Sequence, residues 1–135
     1  MGDNPAALFV YGTLLPNLSR HEALQGARFL GPARVQARLH DLGEYPGLVP
    51  GDGVVHGEVY AVEASLLAHL DAVEEVVPGD DAASLYLRRN IRLEPCADGV
   101  PQQAWTYVYN RPVQGCPLID GGDYRRYLRG RGLLP

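Results

Sequence analysis

The chain has 135 residues, 46% hydrophobic and 21% charged, with a net charge of −4 and a pI near 5.5. These are values of one folded domain, residues 1–135, with enough chain to bury a core, and they exclude a disordered protein. The acidic balance leaves no electrostatic footprint for nucleic acid. All 12 basic residues are arginine, which excludes a Schiff-base lysine, a pyridoxal-phosphate anchor and a P-loop. No apolar run approaches the roughly 18 residues of a membrane span, and no signal-peptide pattern opens the chain. A cytoplasmic protein is expected, with Cys96 and Cys116 as free thiols.

The first element is an apolar strand over Ala7–Tyr11, which halts at Gly12-Thr13 where a hairpin turn is absent. Either the strand simply ends at a glycine, or the exposed amides of the Tyr11–Leu15 loop hold a ligand. Residues 16–26 are polar and turn-rich, with one helical turn around His21–Gln25. Arg28–Leu42 reads as two short extended pieces broken at Gly31-Pro32, because proline removes a ladder donor. LGEYPGLVPGDG, residues 42–53, reads as a loop or a pair of turns. Val54–Val62 returns to β-branched and aromatic residues and predicts a strand.

Ala64–Val76 predicts the principal helix, ended by Pro78-Gly79. GDDAA, residues 79–83, is an exposed loop. Leu85–Leu93 alternates as a strand and, with Ala104–Tyr109, predicts a hairpin. A short helix around Asp123–Leu128 closes the chain, and Arg125, Arg126, Arg129 and Arg131 read as its solvated face. Strands dominate without a regular βαβ alternation. The fold class expected is α+β, a small mixed and barrel-like sheet with a few short helices.

Several motifs fail on inspection. HEALQ, residues 21–25, has Gln25 where a zinc-protease helix needs a second histidine. GDGVVHG, residues 51–57, has His56 in place of the last glycine of a dinucleotide fingerprint. His21, His40, His56 and His69 share no ligand spacing, so no metal is expected. Ser19, Ser65 and Ser84 have no obvious paired base.

The helix carries an anomaly. At about 100° per residue, with Leu66 set at zero, Leu67, Leu70 and Val73 define an apolar face centred near 40°. Glu74 falls near 80°, inside that face, and Glu75 near 180°, toward water. A carboxylate facing a core in the last helical turn is opposed by desolvation and by the macrodipole. Both raise its pKa, as a general base near neutral pH requires. The competing reading is a frayed turn in which Glu74 bends to solvent.

The ordered set YGTL, LGEYPGL, GEVYAV, LDAVEE, YLRR and YVY resembles the gamma-glutamylcyclotransferase-like family over about residues 8–128. The resemblance implies a small barrel-centred domain that cyclises a γ-glutamyl amine to 5-oxoproline, releasing the amine without a cofactor. It implies Glu74 as the acid/base, from the LDxxE pattern. It places the glutamyl portion on the main chain of Tyr11, Gly12, Thr13 and Leu14, and assigns the aromatic of the last core strand to Tyr109 or else Tyr107. The chain departs from the pattern at Glu75, where many members have glycine, and at His40, where tyrosine is commoner. A different class of function fits the same residues: a small-ligand-binding or regulatory module that keeps the pocket without turnover.

Overall fold

The computed structural model describes residues 5–15, 18 and 20–134. Six strands and two helices follow in the order β1 (Ala6–Val10), β2 (Arg28–Asp41), β3 (Pro46–Val62), α1 (Ala64–Val73), β4 (Tyr86–Arg92), β5 (Glu94–Pro95), β6 (Gln103–Tyr109) and α2 (Tyr124–Gly130). The helical turn expected near His21 is a 3-10 turn over His21–Leu24.

One sheet takes all six strands in the order β4-β6-β1-β3-β2-β5. It is mixed: β1 runs antiparallel to β3 and parallel to β6. The expected hairpin is present, with Tyr86 opposite Tyr109 and Arg92 opposite Gln103. Barrel-like overstates the closure. The two ends of the sheet are β4 and β5, adjoining pieces of one stretch, and they are not paired with each other. The result is a curled, open sheet.

Two segments depart from the expectation, both because bulges absorb residues that break strands elsewhere. Arg28–Asp41 is one strand rather than two pieces. Its register slips between Phe29 and Gly31, where Gly31 has φ +145°, and pairing with β3 resumes through Pro32. Residues 46–53 belong to β3 and are not a loop. Arg38 pairs with Val49 and Gln36 with Val54, so Pro50-Gly51-Asp52-Gly53 bulges out opposite Ala37. Only Leu42–Tyr45 is a turn, closed by the Leu42 amide on the Tyr45 carbonyl at 3.0 Å. The two-residue β5 carries no period and is absent from the sequence reading.

The sheet is buried on both faces at β1, whereas β2 alternates buried and exposed residues. Phe9 of β1 and Tyr11 just beyond it enter one core with Val35, Leu39, Leu48, Val55 and Val59. Leu8 and Val10 enter the other with Val62, Leu67, Leu70, Tyr86 and Tyr107, under α1. This two-sided burial explains why β1 reads as a continuous apolar run. Cys96 and Cys116 are free. Among the described residues no helix is long and apolar enough to cross a membrane.

Close approach of β3 to β1 depends on Gly57. A Cβ there would lie 2.2 Å from the Val10 carbonyl oxygen and 2.7 Å from Phe9 Cζ. Gly57→Ala is expected to lower stability by about 1–3 kcal/mol. Gly130→Ala, where a Cβ meets nothing within 4 Å, is expected to be neutral or stabilising by up to about 1 kcal/mol. Thermal unfolding of the two variants side by side checks this; equal effects would contradict the packing of β3 on β1.

Candidate active site

The pocket forms where β1 ends. Beyond Val10 the chain turns through Gly12–Leu15, closed by the Leu15 amide on the Gly12 carbonyl at 2.9 Å. The Thr13 carbonyl accepts from the Arg20 amide and the Leu14 carbonyl bonds His21 Nδ1. No described residue accepts from the amides of Thr13 and Leu14. Gly12 is required by its neighbour: a Cβ would stand 2.6 Å from Pro46 Cγ. Tyr11 is pinned by its hydroxyl, which donates to the Tyr107 carbonyl and accepts from the Leu48 amide.

Opposite this loop stands the end of α1. The helix stops at Val73, three residues short of the expected Val76, and closes with paired bonds: the Glu75 amide to the Ala72 carbonyl and the Val76 amide to the Asp71 carbonyl. That closure puts one residue in the left-handed region, a place glycine usually takes. Here it is Glu75, with φ +57°. The departure from the family's glycine thus falls on the position that turns the chain. Glu75 is exposed, whereas Glu74 points inward and is 8% exposed.

Glu74 lines a pocket with Tyr11, Gly12, Thr13, Leu14 and Tyr107, among others. Burial pushes its carboxyl up to about 7, the nearby Arg20 opposes the rise, and Glu75 adds to it. Arg20 NH1 stands 3.6 Å from Glu74 Oε2, too long for a strong charge-assisted hydrogen bond.

The remaining walls are phenols held neutral by burial. Tyr86 donates to the Pro46 carbonyl at 2.8 Å, and Tyr107 to Asp71 Oδ1 at 2.7 Å. Desolvation raises both hydroxyls, as it does that of Tyr11. Arg88 pairs with the same Asp71 oxygen at 2.8 Å and lies over the Trp105 ring.

The structure therefore brings Glu74, Tyr11, Gly12, Thr13 and Leu14 to one pocket. Of the two aromatic candidates on β6, Tyr107 lines it, whereas Tyr109 packs beside it against Tyr86 with ring centroids 5.4 Å apart. Arg20 and Tyr45 are the wall residues that sequence reasoning missed. Arg20 sits in a turn-rich stretch with no periodicity. Tyr45 was visible only as part of LGEYPGL. Among the described residues no group of three His, Cys, Asp or Glu side chains has metal-binding geometry.

A curled mixed sheet with a glycine-containing loop facing a buried helix-end glutamate defines the architecture of a small cyclotransferase-like domain. Residues 8–126 match the family described as gamma-glutamyl cyclotransferase, AIG2-like, and the chain belongs to that family. It is 39% identical over 118 residues to the gamma-glutamylcyclotransferase family protein YtfP of Escherichia coli strain K12, covering 87% of this chain and 94% of that protein. It is 37% identical over 106 residues to the gamma-L-glutamyl-butirosin B gamma-glutamyl cyclotransferase of Niallia circulans, covering 77% of this chain and 67% of that one. The crystal structure of an AIG2-like protein from Mus musculus superposes with a TM-score of 0.74 at 26% identity, covering 90% of this chain and 89% of that one.

The raised carboxyl has a consequence for stability. A carboxyl that holds its proton more tightly when folded stabilises the fold fully below its unfolded value of 4.5, and this contribution is lost as pH rises through about 7. The loss amounts to about 3 kcal/mol. Glu74→Gln removes it, so the variant's melting temperature is expected to match wild type near pH 4.5 and exceed it increasingly up to about pH 8. An unchanging difference across that range would contradict the burial of an ionisable Glu74. Glu75→Gly is expected to stabilise by about 1 kcal/mol through relief of the left-handed backbone, measured by denaturant unfolding.

Proposed function

We propose that this protein is a gamma-glutamylcyclotransferase that converts a γ-glutamyl amine to 5-oxoproline and the free amine, with Glu74 as general acid/base and no cofactor. The observation that carries this reading is the isolation of Glu74. It is a carboxyl raised to about 7 by burial, in a pocket whose facing wall is a backbone loop with unpartnered amides among the described residues. A group titrating near the working pH is suited to both accept and return a proton.

In the reaction, ionised Glu74 takes a proton from the substrate's α-ammonium. The freed nitrogen lone pair attacks the γ-carbonyl carbon of the same molecule and closes a five-membered ring. Negative charge gathers on the γ-oxygen, and in this reading the Thr13 and Leu14 amides serve as its donors. Collapse breaks the bond to the departing nitrogen. Two protons travel in total from the α-nitrogen to that nitrogen, one of them through Glu74, so the product is a neutral lactam and an ammonium. Water is not consumed. Holding both ends of one molecule in place supplies much of the acceleration, since effective molarities reach ~10⁵ M or more. Tyr11, Tyr86 and Tyr107 act as walls, their hydroxyls already committed as donors.

Glu74→Gln is expected to lower cyclisation by about 10²–10⁴-fold, whereas Glu75→Gln leaves it near wild type. Release of 5-oxoproline from a panel of γ-glutamyl amines measures both, and wild-type turnover is expected to survive EDTA. Full activity in Glu74→Gln, or loss restored by a divalent metal, would overturn the mechanism. A melting-temperature shift with these compounds but no product would instead favour a binding module.

A further inference from the structure

Where the loop after β1 ends, a second cavity of about 220 Å³ opens, and it shares no wall residue with the Glu74 pocket. Drug-sized ligands fill cavities from roughly 300 Å³ upward, so a guest here must be smaller. Leu15 and Ala33 are buried and give the cavity apolar walls, while Glu58, Asp123 and Arg125 give it charge. Leu15 directly follows Leu14 of the Glu74 pocket, and Glu58 stands opposite Val10 of β1.

Arg125 is under-bonded. Its Nε is sealed from water and meets no acceptor among the described residues, a rare condition for a buried donor. Its two outer nitrogens both reach for one oxygen, Glu58 Oε2, and stop at 3.5 Å, beyond the usual range of an N–H···O bond. Glu58 is itself shared, since its other oxygen accepts from the Tyr60 hydroxyl at 2.9 Å. The side chains of Arg125 and Glu58 are only 26% and 18% exposed, so water compensates neither in full. Asp123 spends one oxygen on the Arg126 amide, and no described residue donates to the other. The cavity thus presents a cation short of acceptors and a carboxylate oxygen short of donors.

We propose that this cavity is a second binding site, which takes a free α-amino acid with a small apolar side chain. The outer nitrogens of Arg125 receive the ligand's carboxylate, and Asp123 and Glu58 receive its ammonium. A simple anion would meet Arg125 but also two carboxylates, and a simple amine would meet the guanidinium. A zwitterion answers both signs at once, and its side chain covers Leu15. Occupancy of this site requires no reaction at Glu74.

Titration of the nitrogen-15-labelled protein with L-valine, followed through its amide resonances, tests this. Saturable shifts are expected at Gly57, Cys96 and Asp123. Isobutylamine is valine without its carboxylate, and isovalerate is valine without its ammonium. Each is expected to bind at least roughly tenfold more weakly. Arg125→Met and Asp123→Asn are each expected to weaken valine by a similar factor. Methionine keeps an apolar stem without the orphaned donor, and asparagine still caps α2, so amide resonances remote from the cavity are expected to stay in place. Saturation by either half-ligand at the same concentration as valine overturns the proposal. So do valine shifts confined to Gly12–Leu14 and Glu74, shifts undiminished in both variants, or the absence of any saturable shift with valine.

Discussion

A carboxylate placed at the C-terminal end of a helix, out of water, receives help from neither solvent nor backbone. The last carbonyls of α1 present partial negative charge, and the apolar pocket removes the hydration that would otherwise stabilise the anion. Glu74 occupies that place; burial raises its carboxyl to about 7, and the neighbouring Glu75 adds to the rise. Arg20 limits the rise without abolishing it, because 3.6 Å across a partly exposed opening provides a field more than a bond. A tight bidentate pair at the same site would return the carboxyl to an ordinary acid and leave it a poor base near neutral pH. The looseness of the pair is thus a condition of the proposed chemistry.

The opposite wall depends on steric closeness rather than charge. Gly12 accepts the Pro46 ring against its backbone. Tyr11 bridges the ends of β3 and β6 by receiving from Leu48 and donating to Tyr107. Through these contacts the loop after β1 is fixed by strands at its back. That is why an apolar strand stops at a bare glycine followed by a hydroxyl residue: the stop is where three strands lend one loop its rigidity.

The sequence disclosed what periodicity and composition encode. α1 was legible because four apolar residues share one stripe, and the inward direction of Glu74 followed from the same wheel. The β4–β6 hairpin was legible from alternation. What remained hidden lay in residues with two possible uses. Proline and glycine at 50–53 read as a loop, yet a bulge accommodates them inside β3. Gly31-Pro32 read as a break, yet a register slip carries β2 across it. Arg20 was invisible because its role arises from a turn folding back on the helix end, a juxtaposition that no local pattern records. Closure of the sheet, too, is a matter of whether β4 and β5 meet, and two residues of strand give no signal.

The end of α1 also offers an internal comparison between a hydrogen-bonded acid and the acid proposed as the base. Asp71 and Glu74 lie about one turn apart and both turn toward the sheet. Asp71 accepts from Arg88 and from Tyr107 at 2.8 and 2.7 Å, and the Arg88 guanidinium is itself stacked on Trp105. Both bonds fall on its Oδ1, and they tie the helix to β4 and β6. Glu74, one turn on, has among the described residues only a distant cation. The two carboxyls therefore divide the work by their partners and not by their chemistry. The satisfied one holds the helix end in register with the sheet, and the position it secures keeps the unsatisfied one facing the loop.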